Sequence, residues 1–236
     1  RWRWYPRKFE KEYMIVNIPD YTLRVINDKD TVRTHRTIVG KASRSTPILS
    51  SKLSYIVFNP TWTVPPTILK EDVIPAATKN RGYFASKNIT IYSGGNIVSP
   101  YDWNPSKGKS YRYVQSPGSS NSLGLVKIMF PNKHSVYLHD TNSRGYFGRE
   151  NRSLSSGCVR VQNPFELTEY LLEDSINWTK AKIDEVLAEA KTKNVNFKKD
   201  IYLHILYWTA WSEGDKLQFR DDIYRLDFDL YKKLRN

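Results

Sequence analysis

Cysteine is nearly absent: Cys158 is the single one in 236 residues, so no disulfide can close within the chain and that thiol acts alone or not at all. Histidine is scarce too, with four. No grouping of His, Cys, Asp and Glu has metal-ligand spacing, and Asp221-Asp222 has no companion ligands, so neither metal nor cofactor is expected. Long apolar runs are missing. The best candidate, Ile201 to Trp208, is interrupted by His204 and falls well short of the roughly eighteen residues needed to cross a bilayer. Arg1 to Pro6 has no apolar core for a secretion signal, so the chain is expected to be a fragment or processed form, with Trp2-Arg3-Trp4 packing as a chain end. Acidic residues are outnumbered, 24 against 37 basic, a formal charge of +13. That balance implies an anionic partner. The basic residues are dispersed and no groove-reading or single-strand motif is present, which disfavours nucleic acid.

Aromatic residues are plentiful, at 14% with seven Trp and sixteen Tyr, and favour a large β-rich globular domain over disorder. From Tyr13 to about Asn59 the pattern is strand and turn. Tyr21, Leu23 and Val25 alternate with polar residues, Asn27 to Asp30 supplies a turn, and Thr31 to Val39 returns. Tyr55 to Phe58 reads as a buried strand. The stretch from Trp62 to Pro66 should be neither helix nor central strand, because its paired prolines remove donors. Residues 68–122 differ in texture: a short helix over Lys70 to Asn80 broken at Pro75, then irregular chain rich in Gly, Ser, Asn and Tyr. So long an insertion is expected to be a structured lid. Strands follow at Leu125 to Phe130 and Ser135 to Asp140. Asn163, Pro164 and Glu166 open a helix as a capping box. A second helix is expected over Thr179 to Lys193, strands near Tyr202 to Trp211 and Leu217 to Phe219, and then a basic tail.

The chemistry concentrates at Ser155-Ser156-Gly157-Cys158-Val159-Arg160, with His139 nineteen residues before the thiol. Strand parity puts Ser156, Cys158 and Arg160 on one side, and Tyr137 with His139 on the face opposite Val136 and Leu138. Asp140 then points away from the imidazole, leaving a backbone carbonyl to hold its tautomer. Arg160 favours a thiolate. His139 can take the thiol proton and return it to a leaving amine, while the loop ending in Gly157-Cys158 can present backbone N–H groups to an oxyanion. That is acyl transfer through a thioester. Residue types alone leave a structural cysteine open, since a lone thiol with an upstream histidine is more often structural. His134 reads as a surface residue, and His35 and His204 as scaffold. Trp62 stands between cleft and core, leaning to the core.

These residues resemble the signature of L,D-transpeptidase catalytic domains, the YkuD type. Val57-Phe-Asn-Pro60 with Trp62 and Pro65-Pro66, Asn121-x-Leu-Gly124, Met129-Phe-Pro131-Asn132, Tyr137-Leu-His-Asp-Thr141 and Tyr207-x-Thr-Ala-Trp211 extend the similarity to the long, lid-bearing branch. The resemblance implies an α+β fold, mainly a sandwich or barrel-like sheet with a few helices. One catalytic domain would cover residues 1–236, with the lid inserted at 68–122. It implies a monomeric periplasmic or wall-facing enzyme of cell-wall biogenesis and cell shape. Its partners would be donor and acceptor stem peptides of peptidoglycan, and carbapenems its covalent inhibitors. Cys158 would attack the bond between the third residue of a donor tetrapeptide stem and its terminal D-alanine, with His139 as base and acid. Gly157, Ser156 and Ser155 would form the oxyanion loop, and Arg160, Tyr137, Trp62 and Asn121 would meet substrate. Ser156 departs from the histidine many members carry there and marks a subgroup. Hydrolysis by the same thioester (an L,D-carboxypeptidase, or a hydrolase of wall-lipoprotein links) and a non-catalytic wall-polymer binding module are the alternatives.

Overall fold

Period-two alternation near the start of the chain is realised as an antiparallel meander. Its strands are β1 (Glu12–Asn17), β2 (Thr22–Asn27) and β3 (Asp30–Gly40), with Tyr21 at φ 53° and Asp28 at φ 61° in the turns. The computed structural model describes residues 8–172 and 177–235, so the Trp2-Arg3-Trp4 opening lies outside the described residues. A 3-10 turn, Ala42–Arg44, leads to β4 (Leu49–Lys52) and β5 (Tyr55–Phe58).

The chain then builds a second, smaller unit. Trp62–Thr63 is a short edge strand, β6, and Pro66 opens helix α1 (Pro66–Ile68), which runs through a π turn (Leu69–Val73) into α2 (Ile74–Lys79). Two expectations are corrected here. Pro66 starts a helix because the missing N–H falls where a first turn has no partner anyway. Pro75 does not break the helix, because it stands in the first turn of α2, where the preceding π turn has already shifted the hydrogen-bond ladder. Helix α3 (Gly82–Ser86), β7 (Ile89–Ser93), β8 (Asn96–Val98), a 3-10 turn (Pro105–Ser110) and β9 (Arg112–Gln115) follow. The expected irregular stretch therefore contains three strands of a four-stranded sheet ordered β6-β9-β7-β8, whose β6 precedes it. Val73, Ala77, Phe84, Ile91, Trp103 and Tyr113 form its own core. Trp103 Nε1–H donates to the Tyr113 hydroxyl at 2.7 Å, and that hydroxyl donates to the Gly108 carbonyl.

The main sheet resumes with β10 (Val126–Met129), β11 (Leu138–His139), β12 (Ser153–Ser155) and β13 (Val159–Val161). The expected strand from Ser135 shrinks to two residues. Ser135 sits at φ 54°, and Asn132 takes the Val136 N–H on Oδ1 and donates Nδ2–H to the Val136 carbonyl, so side-chain bonds replace the ladder there. After α4 (Pro164–Leu172) and α5 (Lys180–Ala188) come β14 (Lys193–Asn196) and β15 (Tyr202–Leu206). A hairpin, β16 (Ala210–Glu213) and β17 (Lys216–Phe219), precedes α6 (Leu226–Arg235). The second helix thus ends before Lys193, which pairs with Phe58 as a strand residue. The expected basic tail is a helix whose first N–H groups are taken by the Asp222 carboxylate, the structural role expected of Asp221-Asp222.

The eleven-stranded sheet runs β14-β5-β10-β11-β13-β3-β2-β1-β15-β4, with β12 beside β3. Only Leu53-Ser54 separates β4 at one end from β5 near the other, so the sheet must curl back on itself. The result is a mixed α+β fold dominated by a rolled sheet. Its interior is filled by Met14, Val16, Leu23, Ile56, Phe58 and Ile128, and α4 and α5 cover it with Leu167, Leu171, Ile183 and Val186.

One glycine ties this fold to the site. Gly124 has φ 64°, and a Cβ there would overlap the Asp140 carboxylate, which accepts the Leu125 N–H at 3.0 Å. Gly124→Ala is expected to destabilise by at least about 2 kcal/mol, from left-handed strain plus displacement of Asp140. Urea unfolding measures it, and a loss below about 0.5 kcal/mol would contradict the packing described.

Candidate active site

Strand β11 sits between β10 and β13. Lys127 pairs with His139 on one side, and His139 with Arg160 on the other. Directly paired residues share a face of a sheet, so Lys127, His139 and Arg160 form a row. The neighbouring row, Ile128, Leu138 and Val159, is buried in the core. The polar row lines a cleft of about 780 Å³ together with Tyr137, Ser156 and Cys158. The parity expected for both segments places these side chains in one cleft.

The loop carrying the thiol is held by its own side chains. Ser155 Oγ–H donates to the Cys158 carbonyl at 2.6 Å and accepts the Gly157 N–H at 3.1 Å. Gly157 stands at φ 111°, and its carbonyl accepts from Thr46 Oγ1, which also accepts the Gly40 N–H at 2.8 Å. Behind this, the Tyr224 hydroxyl donates to the Gly40 carbonyl at 2.5 Å and accepts the Thr46 N–H. The expected oxyanion donor is corrected accordingly. The Gly157 N–H is taken by the Ser155 hydroxyl, the turn a serine makes with backbone two residues on, which leaves the Cys158 N–H for an oxyanion. Ser156 is tied towards the smaller unit, its Oγ accepting from Arg44 Nη1 at 2.9 Å.

Desolvation dominates the electrostatics. Burial pushes the Cys158 thiol above its ordinary range, against opposing pulls from the Tyr137 N–H and phenol, Lys127 and Arg160. The cationic help expected of Arg160 is present but outweighed. His139, 5% exposed, is pushed down to about 3 by burial first and the Arg160 charge second, with Lys127 adding to the depression. The Asp140 and Leu123 carbonyls pull the other way and do not offset it. Thiol and imidazole are therefore both neutral at pH 7. The expected backbone carbonyls thus stand beside the ring, though Nδ1 is sealed and makes no hydrogen bond of ordinary geometry. Among the described residues no hydrogen bond joins the ring to the sulfur, and the groups that favour its thiolate most are the Tyr137 N–H and phenol. The Tyr137 ring stands edge-on to His139, centroids 5.5 Å apart. Tyr137 thus bridges the two groups, a larger part than the cleft lining expected of it.

Arg160 reaches the cleft with Nε buried and unpartnered. Trp62 is both things at once: it lines the cleft and packs on the core of the smaller unit. Asn121 is corrected. It is 1% exposed, and its amide holds the loop by donating to the Pro60 and Ser116 carbonyls and accepting the Leu123 N–H, so no polar atom remains for substrate. His134 is exposed at the rim. His204 is held by Ser50 and Glu10, and His35 Nδ1 meets the Gln162 carbonyl. Two residues escaped sequence reasoning. Lys127 was signalled only as a charge between the buried Val126 and Ile128. Arg44 gave no signal at all.

Arg44 joins the two units. Its side chain, 8% exposed, donates Nε–H to Glu71 at 2.8 Å and Nη1–H to Asp72 at 2.5 Å on the π turn, and Nη1 also reaches Ser156. The smaller unit supplies one wall of the cleft through Trp62, Pro65, Ile68, Asp72 and Tyr83.

Comparison with known proteins gives the family. Residues 11–184 match the family described as L,D-transpeptidase catalytic domain. A protein of Haemophilus influenzae named "Putative L,D-transpeptidase" is 39% identical over 218 residues, covering 91% of this chain. The chain spans 44% of that relative's length. Among solved structures, Mycobacterium tuberculosis L,D-transpeptidase 1 shows 14% identity and a TM-score of 0.36, over 83% of this chain and 61% of its own. The Ldtfm-avibactam carbamoyl enzyme shows 11% identity and a TM-score of 0.39, over 83% of this chain and 49% of its own. Likenesses this slight add nothing to the sequence match.

Two outcomes follow from the electrostatics and the clasp. An unfolded imidazole binds its proton near pH 6.5 and the folded His139 only near 3, so between those values the unfolded state holds more protons and stability falls with acidification. His139→Gln should flatten that slope in urea titrations at pH 7, 5 and 4; an unchanged slope would refute the buried neutral ring. Arg44→Ala is expected to speed amide exchange over residues 66–79 by about tenfold or more while β10 and β13 keep their protection. Equal change in both would mean that Arg44 supports the whole fold rather than the junction.

Proposed function

The chain belongs to the family of L,D-transpeptidase catalytic domains, an enzyme family, and on that premise we propose that it is a peptidoglycan L,D-transpeptidase with Cys158 as nucleophile. The sulfur attacks the carbonyl of residue three in a donor tetrapeptide stem while His139 takes the thiol proton. The tetrahedral intermediate collapses, its C–N bond breaks, and His139 returns the proton to the departing D-alanine amine. The thioester left on Cys158 is opened by an acceptor amine, whose proton passes to His139 and then back to sulfur. The observation carrying this reading is the shared cleft of Cys158, Tyr137, His139 and Arg160.

The neutral resting pair fits this order of events. A thiol held neutral by burial is protected from adventitious oxidation, and ionisation accompanies attack rather than preceding it. Ring and sulfur have a gap to close when substrate seats, as expected of a site without ligand. The Cys158 N–H is the backbone donor for the oxyanion, worth roughly 3 kcal/mol in such sites. Arg160, whose Nε is buried and unused, suits an anionic group of the stem. The smaller unit, which begins at β6 ahead of the span 68–122 taken as a lid, roofs the cleft and selects what enters. The activity implies a periplasmic or wall-facing setting, and the excess of 13 positive charges suits anionic wall polymers.

Carbapenems, expected of this family as acylating inhibitors, give a direct test. Wild type should gain the mass of one carbapenem, Cys158→Ala none, and His139→Ala should react about a hundredfold or more slowly. An adduct on Cys158→Ala would end the assignment of the nucleophile. With disaccharide-tetrapeptide alone, a cross-linked dimer marks transfer and a tripeptide product marks hydrolysis.

A further inference from the structure

We propose that Lys127 determines substrate specificity by binding a carboxylate of the donor stem. The proposal rests on the reading above for the substrate and adds a residue that no sequence motif singled out. Lys127 lies in the middle of β10, between Val126 and Ile128, which are buried in the core. Its side chain therefore emerges on the cleft face, in register with His139. The ammonium sits 4.0 Å from the centroid of the Tyr137 ring, whose phenol contacts the sulfur. Cation and nucleophile thus flank one ring.

Among the described residues nothing neutralises this cation. Among the described residues no carboxylate pairs with Lys127, and the charge that acts on it is that of Cys158 when ionised. Burial lowers its proton affinity. A half-desolvated ammonium without an anion is costly, and a ring face compensates only partly. The arrangement becomes favourable once an anion enters the cleft.

The geometry limits which anion. His139 pairs with Lys127 on one side and Arg160 on the other, so the two cationic side chains spring from backbone positions roughly 10 Å apart across the sheet, with the imidazole's strand between them. An amide carbonyl delivered to Cys158 then has a cation to either side. The donor stem carries carboxylates on both sides of that carbonyl: the terminal one of the departing D-amino acid, and a side-chain one where residue three is a diamino diacid. A flexible ammonium, a point charge with three donors, accepts either.

Kinetics on three donors decide the matter: the unmodified stem, its terminal carboxamide, and a stem amidated on the side chain of residue three. Lys127→Met should lower kcat/KM for the unmodified donor about tenfold or more, mainly through KM, and Lys127→Arg should recover most of it. Whichever amidated donor brings wild type down to the Lys127→Met level, with no further loss in the variant, names the carboxylate. Equal losses on all three donors would overturn the proposal and leave Lys127 as a support for the thiol or the fold. Should wild type turn over no stem at all, the proposed function fails separately. Acylation by a carbapenem free acid against its methyl ester then makes the same comparison: Lys127→Met must slow only the free acid, and equal slowing of both overturns the inference.

Discussion

A strand of two residues, Leu138–His139, carries the site. Its pairing with β10 on one side and β13 on the other sets which side chains meet. A slip of one residue would exchange the faces, sending His139 into the core and Leu138 into the cleft. The strand is too short to hold that register by its own hydrogen bonds. The fixing comes from its ends. Asn132 ties the loop before it, and Asp140 after it is packed beneath Gly124 and bonded to the Leu125 N–H. Leu138, wholly buried, fixes the face. Everything chemical at the site depends on that register, because Lys127, Arg160 and the loop of Cys158 all reach the cleft through it.

The same constraint explains why the site rests uncharged. Seating an imidazole on a sheet between two cations, with little solvent, makes its protonated form costly. Seating the thiol beside it in the same cleft makes the thiolate costly too, though two cations and a phenol favour it. An ion pair of thiolate and imidazolium would need both penalties overcome before substrate arrived. Tyr137 mediates, touching the sulfur through N–H and phenol, His139 through its ring edge and Lys127 through its ring face. Desolvation outweighs the charges around the site, so the resting state follows from burial rather than from residue types.

That ordering also explains what the sequence disclosed. Strand parity was legible, because Val136, Leu138, Val159 and Val161 are apolar at alternate positions and their polar neighbours must face away. The thiol and the histidine were legible for the same reason. The role of Gly157 was not, because the Ser155 hydroxyl, two residues away, decides whether that N–H is available. Asn121 looked like a polar residue offered to substrate and is instead buried, its amide spent on loop carbonyls. The stretch after Pro66 looked irregular since its glycines and prolines are frequent, yet Trp103, Phe84 and Tyr113 give it a core. The aromatic content carried that signal, and periodicity did not, because its strands are short and separated by turns. Arg44 was invisible, since a contact 27 residues away with Glu71 and 112 away with Ser156 leaves no local pattern.

Arg44 shows why the two units act as one site. Its guanidinium reaches two carboxylates on the smaller unit and the serine beside Gly157 at once, and charge-assisted bonds of this kind are about twice as strong as neutral ones. The backbone of the same turn lies against Gly157, with the Ser45 carbonyl 3.5 Å from where a Cβ would stand. A displacement of the π turn therefore pulls on the residue that orients the nucleophile loop. Glu71 and Asp72 are themselves partly exposed, at 49% and 43%, so water competes for them and the junction is held firmly on the Arg44 side and loosely on the other. The smaller unit can then give way to what enters the cleft while the loop of Cys158, braced from behind by Thr46 and Tyr224, keeps its shape. Rigidity at the thiol and compliance at the roof follow from where along that one side chain the solvent reaches.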